Sequence, residues 1–334
     1  MARVLIEQFS EEGEVVLDPF CGSGVVPYEA LLLGRHAIGN DLNPYAYALT
    51  KGKLSAPLKR EDALSRAEAA LAEATRVSVA TDDVPDWVKA FFHPKTLEEV
   101  LALTQVLRHR RDYFLLSCLL GILHHVRPGF LSYPASHLVP YLRVRKYPRD
   151  DFPEMYSYRA VAPRLLAKIL RAYRRFEVPR ADLRRLVLRK NAASLPLRTA
   201  SVDSVVSSPP YYGALDYGRD NRLRLWFLGI PDYKTIETKL TSNAKVYIPQ
   251  MTEAVGEMLR VLKAGKCAAL VLGDYNRDGQ SLDSATALIQ IVQHNYSSLA
   301  SAEKLLVDEV PDERRTRRRT RTTKQESIVL IRKR

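Results

Sequence analysis

The sequence predicts an α/β protein whose mostly parallel sheet is interrupted by a helical insertion. Near both ends of the chain, short apolar and β-branched runs alternate with amphipathic helical segments, which is the pattern of β-α units. Between them, from about residue 59 to residue 176, apolar residues recur with helical periodicity. With 334 residues, the chain is long enough to bury a full core around such a sheet.

The first two β-α units open the chain. Residues 14–18, EVVLD, predict a strand, and the glycine-rich turn PFCGSG leads from it into VVPYEALLLG, which has the apolar spacing of a helix ending at Gly34. HAIGND then predicts a second strand, followed by a helix from Tyr45 to about Leu54. Because successive β-α units produce parallel strands, we expect helices on both faces of the sheet.

The remaining elements divide the chain into three parts. Helical periodicity continues through EDALSRAEAALAEATR, TLEEVLALTQVLRHRRDYFLLSCLLGILHHV and APRLLAKILRAYRRF. Strand patterns resume at LRRLVLRK, SVDSVVSS and GKCAALVLG, and again at ESIVLIRKR, with the helix MTEAVGEMLRVLKAG among them. We therefore predict a sheet domain in two parts, residues 1–58 and 181–334, around a helical insertion at residues 59–180.

Composition limits the partners and the compartment. The net charge of +13 and the isoelectric point near 9.6 favour a polyanionic partner over a small neutral substrate. No apolar run of about 18 residues is present, and the N-terminus MARVLIEQFSEEGE has acids where a signal peptide needs apolar residues, so we expect a cytoplasmic protein without membrane contact. The three cysteines are far apart and lack ligand spacing, so we expect neither a disulfide framework nor a metal site.

The glycine turn at residues 18–24, DPFCGSG, has the chemistry of a ligand site. Its glycines let a ligand approach the backbone, and Asp41, about twenty residues further on, can accept hydrogen bonds from both hydroxyls of a ribose. A dinucleotide site needs GxGxxG, whereas a turn led by an acid suits a cationic ligand such as a sulfonium amino acid. The alternative is a tight connection that binds nothing.

The strings LDPFCGSG, GNDLNP and SSPPYY resemble the DNA amino-methyltransferases that modify cytosine N4 or adenine N6. The resemblance covers roughly residues 1–55 and 184–275 and implies a Rossmann-like S-adenosylmethionine-dependent methyltransferase fold, with residues 59–180 as a target-recognition candidate. It implies S-adenosylmethionine as cofactor, with Asp41 on its ribose and Asn191 near its adenine. The cofactor-binding residues that it implies are Asp18, Pro19, Phe20, Cys21, Gly22, Gly24, Asp41, Leu42, Asn191, Ala192 and Ser208.

In the same family the string Ser208-Pro209-Pro210-Tyr211 is catalytic. An exocyclic amine is a poor nucleophile because its lone pair is delocalised into the ring, so the site must offer hydrogen-bond acceptors to its N–H groups. The Ser208 hydroxyl and the Pro209 carbonyl can accept, the prolines supply no competing donor, and Tyr211 offers a face on which the base can stack. Alone, the string is also typical of a turn at a strand end.

Serine at position 208, where adenine enzymes of the family usually have Asp or Asn, favours N4 of cytosine in DNA. The alternatives are adenine-N6 methylation, methylation of an RNA base, and a nucleic-acid-binding protein that has lost catalysis. The family resemblance also leaves open a restriction endonuclease partner in a restriction-modification system.

Two basic stretches are candidates for nucleic-acid contact. The first contains Arg143, Arg145 and Lys146 within an aromatic, proline-bearing segment. The second is an arginine-rich run that contains Arg317, Arg318, Arg319 and Arg321. A solvated loop or tail is the alternative for the second stretch.

Overall fold

The computed structural model describes residues 1–124, 130–133, 147–210, 217–237, 244–273, 275–277, 280–309 and 325–334. They form two compact units. The sheet unit comprises Met1–Thr50, Pro179–Tyr217 and Lys234–Arg334, and the helical unit comprises Lys51–Val178 and Gly218–Tyr233. Residues 218–233, which the sequence pattern placed with the second part of the sheet domain, thus belong to the helical unit.

The strands of the sheet unit follow one another in the order that the sequence predicts, with additions near the C-terminus. They are β1 (Val15–Asp18), β2 (His36–Asn40), β3 (Arg185–Leu188), β4 (Val202–Ser207), β5 (Leu262–Gly273), β6 (Tyr275–Arg277), β7 (Gln280–Leu282), β8 (Ala300–Glu309) and β9 (Gln325–Lys333).

Seven of these strands form one sheet in the order β3-β2-β1-β4-β5-β9-β8, while β6 and β7 pair separately. Strands β1 to β5 are mutually parallel, and β9 is antiparallel to its neighbours β5 and β8. A mostly parallel sheet with helices confirms the prediction of a Rossmann-like α/β fold.

The helices are distributed over both units. In chain order they are α1 (Ala2–Phe9), α2 (Val25–Leu32), α3 (Pro44–Leu54), α4 (Arg60–Ala74), α5 (Asp86–Lys89), α6 (Pro94–His109), α7 (Tyr113–Ile122), α8 (Val161–Tyr173), α9 (Tyr217–Asp220), α10 (Arg222–Phe227), α11 (Lys234–Glu237), α12 (Ala244–Val261) and α13 (Ser284–Asn295).

The core of the sheet unit lies between the sheet and its helices. All six residues of β4 are buried, as expected of a central parallel strand covered on both faces. Val255 and Met258 of α12 and Leu288 and Val292 of α13 join the same apolar cluster as Val205 of β4. Half of the residues of β4, VDSVVS, are polar, and two of these buried groups have partners: Asp203 pairs with Lys263, and the Ser207 hydroxyl donates to Asp18.

The strand order reverses beside β1. From β1 the chain proceeds outward through β2 and β3 on one side, and then returns to β4 and β5 on the other side. In open α/β sheets, the crevice outside the carboxyl ends of the strands at such a reversal is where ligands bind. The ends of β1 and β4, at Asp18 and Ser207, flank this position.

The helical unit has its own core. Ala63, Ala67 and Ala70 of α4 are fully buried, and their spacing places them on one face of the helix. Their small side chains allow α4 to pack closely against α6 and α8. Helix α7 is buried almost all round, with Leu115 and Leu119 completely covered, so this unit buries apolar surface of its own.

The sequence analysis predicted neither strand β8 nor helix α13. Strand β8 is an edge strand in which charged residues, among them Glu303 and Lys304, flank a short apolar stretch at residues 305–307, and residues 301–305 are mostly exposed. Charged residues on an edge strand are expected because they discourage pairing with other chains. None of the described helices has the length and apolarity needed to cross a membrane.

Candidate active site

A cavity of about 180 Å³ lies at the carboxyl ends of the parallel strands of the sheet unit. Segments that follow β1, β2, β3 and β4 all contribute to its wall. The residues that line it are Pro19, Phe20, Gly22, Asn40, Asp41, Leu42, Asn43, Ala46, Lys190, Asn191, Ala192, Ser208 and Pro210. Most of the residues that the sequence assigned to cofactor and acceptor thus meet in one place.

Two glycines shape the turn after β1 in different ways. Gly22 has a φ of +49°, and a Cβ at this position would meet nothing within 4 Å, so its backbone borders open space. Gly24 has a φ of +74° and caps α2, and a Cβ there would lie 2.8 Å from the Thr50 hydroxyl of α3. Gly24 therefore allows helix packing, whereas Gly22 leaves room for a ligand.

Asp41 joins the glycine turn to the end of β2. Its carboxylate accepts hydrogen bonds from the backbone amides of Gly22 and Asn43, each at 2.9 Å, and it lines the cavity. Burial raises the pKa of Asp41 to about 6, against the lowering effect of the two backbone hydrogen bonds. Each carboxylate oxygen retains a lone pair, so Asp41 can still accept from ligand hydroxyls.

Asp18 is not among the lining residues. It is 3% exposed and accepts hydrogen bonds from the Ser207 hydroxyl at 2.6 Å and from the Phe20 amide at 3.1 Å. These contacts tie the end of β1 to the end of β4. Burial raises the pKa of Asp18 to about 7. The two hydrogen bonds that its carboxyl accepts hold the turn in place.

Cys21 and Gly24 also lie outside the cavity wall. The Cys21 thiol is buried and contacts the Thr50 hydroxyl at 3.3 Å. Burial, together with the nearby carboxyls of Asp18 and Asp41, raises its pKa well above the usual value. A thiol that remains protonated at neutral pH is a poor nucleophile, which agrees with a reaction that needs no covalent intermediate.

Asn40 is a site residue that the sequence analysis missed. Its side-chain amide donates to the carbonyls of Pro19 at 3.0 Å and Lys190 at 3.1 Å, and its oxygen accepts from the Lys190 amide at 3.0 Å. It thereby clamps the segments after β1 and β3 to the end of β2. Asn43, Ala46 and Lys190 of the wall were missed as well. Asn40 and Asn43 lie within the string GNDLNP, which could have indicated them, whereas Ala46 and Lys190 lie outside the three motifs.

The segment after β3 forms the side of the cavity predicted to hold an adenine. Asn191 and Ala192 line it as the resemblance implied, and Asn191 Oδ1 accepts from the Ala193 amide at 3.1 Å in an Asx turn. This bond orients the side chain of Asn191. Its amide group can still donate to a ligand.

The acceptor string begins directly after β4. Ser208 is exposed in the cavity, Pro209 is buried, and Pro210 lines the wall. Tyr211 lies outside the described residues, as do Arg143, Arg145, Lys146, Arg317, Arg318, Arg319 and Arg321. Within the described part of the chain, no three His, Cys, Asp or Glu side chains are grouped as metal ligands would be.

Solved methyltransferase structures share only distant likeness with the chain. A ribosomal RNA methylase from Clostridium thermocellum, titled putative, is 10% identical, with a TM-score of 0.38 over 99% of this chain and 95% of its own. A protein from Methanosarcina mazei, described as an S-adenosylmethionine-dependent methyltransferase, is 13% identical, with a TM-score of 0.38 over 98% and 96%. Identities and TM-scores this low say nothing about activity.

Sequence comparison is more informative at the N-terminus. No protein of curated function matches the chain. Residues 1–52, however, match the N6_N4_Mtase family, which is described as DNA methylase. The matched segment contains the glycine turn and Asp41 but ends before Ser208. It supports the assignment to the DNA amino-methyltransferases for the part of the chain that carries the first two motifs.

Proposed function

We propose that this protein is an S-adenosylmethionine-dependent methyltransferase that methylates the exocyclic N4 amine of cytosine in DNA. One observation carries the proposal: Asp41 and Asn191, assigned to the cofactor, line the same cavity as Ser208 and Pro210, assigned to the acceptor base. The DNA methylase match of residues 1–52 supports the class of reaction, and the net charge of +13 supports a nucleic-acid substrate.

The cavity suits the nucleoside part of this cofactor. Gly22 presents backbone next to open space, as a ligand that packs on the turn requires. Asp41 has free acceptor positions for two ribose hydroxyls, and Leu42 and Ala46 provide apolar surface beside the Asn191 amide for a planar base. When bound, S-adenosylmethionine would supply an electrophilic methyl group on a sulfonium.

The acceptor segment would activate the amine. The Ser208 hydroxyl and the Pro209 carbonyl can accept hydrogen bonds from the two N–H groups, which directs the amine lone pair toward the methyl group. Neither Pro209 nor Pro210 has a backbone N–H that could compete for these acceptors. The amine nitrogen would form the new bond to the methyl carbon as the bond from that carbon to the sulfonium sulfur breaks, which leaves a neutral thioether. The surplus amine proton would pass to solvent along its hydrogen bond to the Ser208 hydroxyl.

The test is transfer of a labelled methyl group from S-adenosylmethionine to duplex DNA and to total RNA, followed by nucleoside analysis of each product. We expect N4-methylcytosine in DNA. Methylated adenine, or a methylated base in RNA, would contradict the substrate but retain the chemistry. Cofactor binding without transfer to either nucleic acid would contradict the proposed activity.

A further inference from the structure

The helical unit contains a second cleft that the proposed reaction does not use. Its volume is about 640 Å³, within the range of small-ligand sites. Leu101, Thr104 and Arg108 of α6 form one wall, and Trp226 and Phe227 of α10 form another. Every residue that lines it belongs to the helical unit.

The aromatic wall is held in place by contacts within the unit. Arg224, on the same helix, donates to the carbonyls of Leu120 at 3.1 Å and His124 at 2.9 Å. Phe227 is buried and packs edge to face against Phe92, with 6.0 Å between the ring centroids. Trp226 is only half-buried, so part of its ring surface faces the cleft.

Arg108 supplies a cation at the edge of the cleft. It is exposed and has no ion pair among the described residues, whereas Arg110 of the same segment pairs with Glu73. The turn after α10 passes against its guanidinium: Gly229 has a φ of +85°, and a Cβ there would lie 3.1 Å from Arg108 Nη2. A guanidinium without an ion pair can bind a phosphate through two parallel hydrogen bonds.

We propose that this cleft binds one unpaired nucleotide of a nucleic-acid strand, with the phosphate on Arg108 and the base against Trp226. An indole surface next to an unpaired guanidinium matches a base and its phosphate, the combination that single-strand binding proteins use. In the helical unit, lysines and arginines outnumber aspartates and glutamates, which favours a polyanionic strand. The assignment rests on the proposed function, since it names a contact for the proposed substrate.

The chain offers a direct spectroscopic test because it contains only two tryptophans. In a Trp87→Phe background, Trp226 is the sole indole, and its fluorescence is titrated with a short single-stranded oligodeoxythymidylate in the absence of cofactor. We expect quenching on binding. Arg108→Ala should weaken binding about tenfold and reduce the slope of log affinity against log salt by about 1. Arg66→Ala, an exposed arginine of α4 away from the cleft, should leave the quenching unchanged.

Several results would overturn the assignment. Binding detected by anisotropy without quenching of Trp226 would place the strand elsewhere, and equal losses for Arg108→Ala and Arg66→Ala would reduce the contact to general electrostatics. Thymidine monophosphate or polyglutamate that quenches with the affinity of the oligonucleotide would show a site for free anions. If Arg108→Ala does not fold, Arg108→Lys is used instead. Lysine keeps the positive charge but lacks the two parallel N–H donors of the guanidinium, so this variant should still weaken binding. Methyl transfer is measured separately, so either proposal can fail alone.

Discussion

At the scale of single residues, the site depends on two carboxyls that differ in what they contact. Asp41 lines the cavity and keeps acceptor positions open, while Asp18 is buried behind the turn and bonded to Ser207 and Phe20. Both have a raised pKa, about 6 for Asp41 and about 7 for Asp18. Ionisation of these two carboxyls in the folded protein therefore lowers the free energy of unfolding.

Asp18→Asn should make the protein more stable at neutral and higher pH. Asn keeps an acceptor for Ser207 and Phe20 but removes the charge. Folding raises the pKa of Asp18 from 3.8 to about 7. The protonated carboxyl therefore contributes its full stabilisation of the folded protein below pH 3.8, and this contribution is lost as the pH rises through about 7. The shift corresponds to an effect on the order of 4 kcal/mol.

The measurement is the unfolding free energy of the ligand-free protein from about pH 4 to about pH 8, which spans the interval between the unfolded and the folded pKa of Asp18. The difference between Asp18→Asn and wild type should be small at the acid end and grow with pH. Asp83→Asn, at an exposed aspartate, is the matched control and should run parallel to wild type. Parallel curves for Asp18→Asn and wild type would contradict the raised pKa.

Ser208→Ala should lower the rate of methyl transfer about a hundredfold, the usual cost of losing one oriented hydrogen-bonding group in an active site. The dissociation constant of S-adenosylmethionine should stay nearly unchanged, because the proposed hydroxyl contact is with the acceptor amine. Rate and affinity are measured in the same preparation, with Ser194→Ala at an exposed serine as control. Full activity in Ser208→Ala would remove this residue from the acceptor site.

At the scale of secondary-structure elements, the site is held together by contacts between strand ends. Asn40, at the end of β2, bonds to Pro19 after β1 and to Lys190 after β3. Asp18 joins the ends of β1 and β4 through Ser207. Four parallel strands thus present their carboxyl ends as one surface. Loss of a hydrogen bond between these strand ends should lower both the free energy of unfolding and the affinity for a ligand in the cavity.

Asn40→Asp tests the clamp between β1, β2 and β3. The new carboxylate oxygen would face the carbonyls of Pro19 and Lys190, where the wild-type amide donates. We expect a loss of unfolding free energy of about 2 kcal/mol or more at alkaline pH, partly recovered in acid when the carboxyl can donate, and weaker cofactor binding. Urea unfolding and calorimetric titration measure these. Asn295→Ala, which loses a single bond to Ile291 on α13, should not affect cofactor affinity.

Gly22→Ala and Gly24→Ala form a matched pair in one turn. Both positions have positive φ, but only at Gly24 would a methyl group clash, with Thr50. Gly24→Ala should therefore destabilise the protein by about 2 kcal/mol or more, and Gly22→Ala by about 1 kcal/mol. Gly22→Ala should instead reduce affinity for S-adenosylmethionine. Thermal unfolding and cofactor titration compare them, and the reverse ranking would contradict the division of roles.

At the scale of the whole molecule, the excess of positive charge is the feature that bears on the substrate. The net charge of +13 attracts polyanions over distances longer than any single contact. Each phosphate that the protein neutralises releases condensed counterions from DNA. Affinity for nucleic acid should therefore depend steeply on salt, whereas affinity for the small cofactor should not.

We expect the slope of log affinity for duplex DNA against log salt to be about −4 or steeper, which corresponds to at least about four neutralised phosphates. Anisotropy titrations over a range of sodium chloride concentrations measure it. The dissociation constant of S-adenosylmethionine over the same range is the control and should change little. A slope near zero for DNA would argue against a nucleic-acid substrate.

Local sequence was sufficient to predict the fold class and to name many of the residues that line the cavity. The strands near Asp18, Asn40 and Ser207 and the turns that follow them carry their own signals in β-branched runs, glycines, prolines and acids. Because parallel strands bring their carboxyl ends together, assigning three motifs to three strand ends predicted that they meet. Of the predicted cofactor residues, Pro19, Phe20, Gly22, Asp41, Leu42, Asn191, Ala192 and Ser208 line the cavity.

What the tertiary structure decided depends on contacts between residues far apart in the chain. Asn40 and Lys190 are 150 positions apart, and no local pattern signals their bond. Asp18 and Ser207, 189 apart, bond behind the turn, so that the acid supports the site instead of lining it. Residues 218–233 belong to the helical unit although they follow the acceptor string. Periodicity and turn chemistry are local, while burial and hydrogen-bond partners are properties of the packed chain.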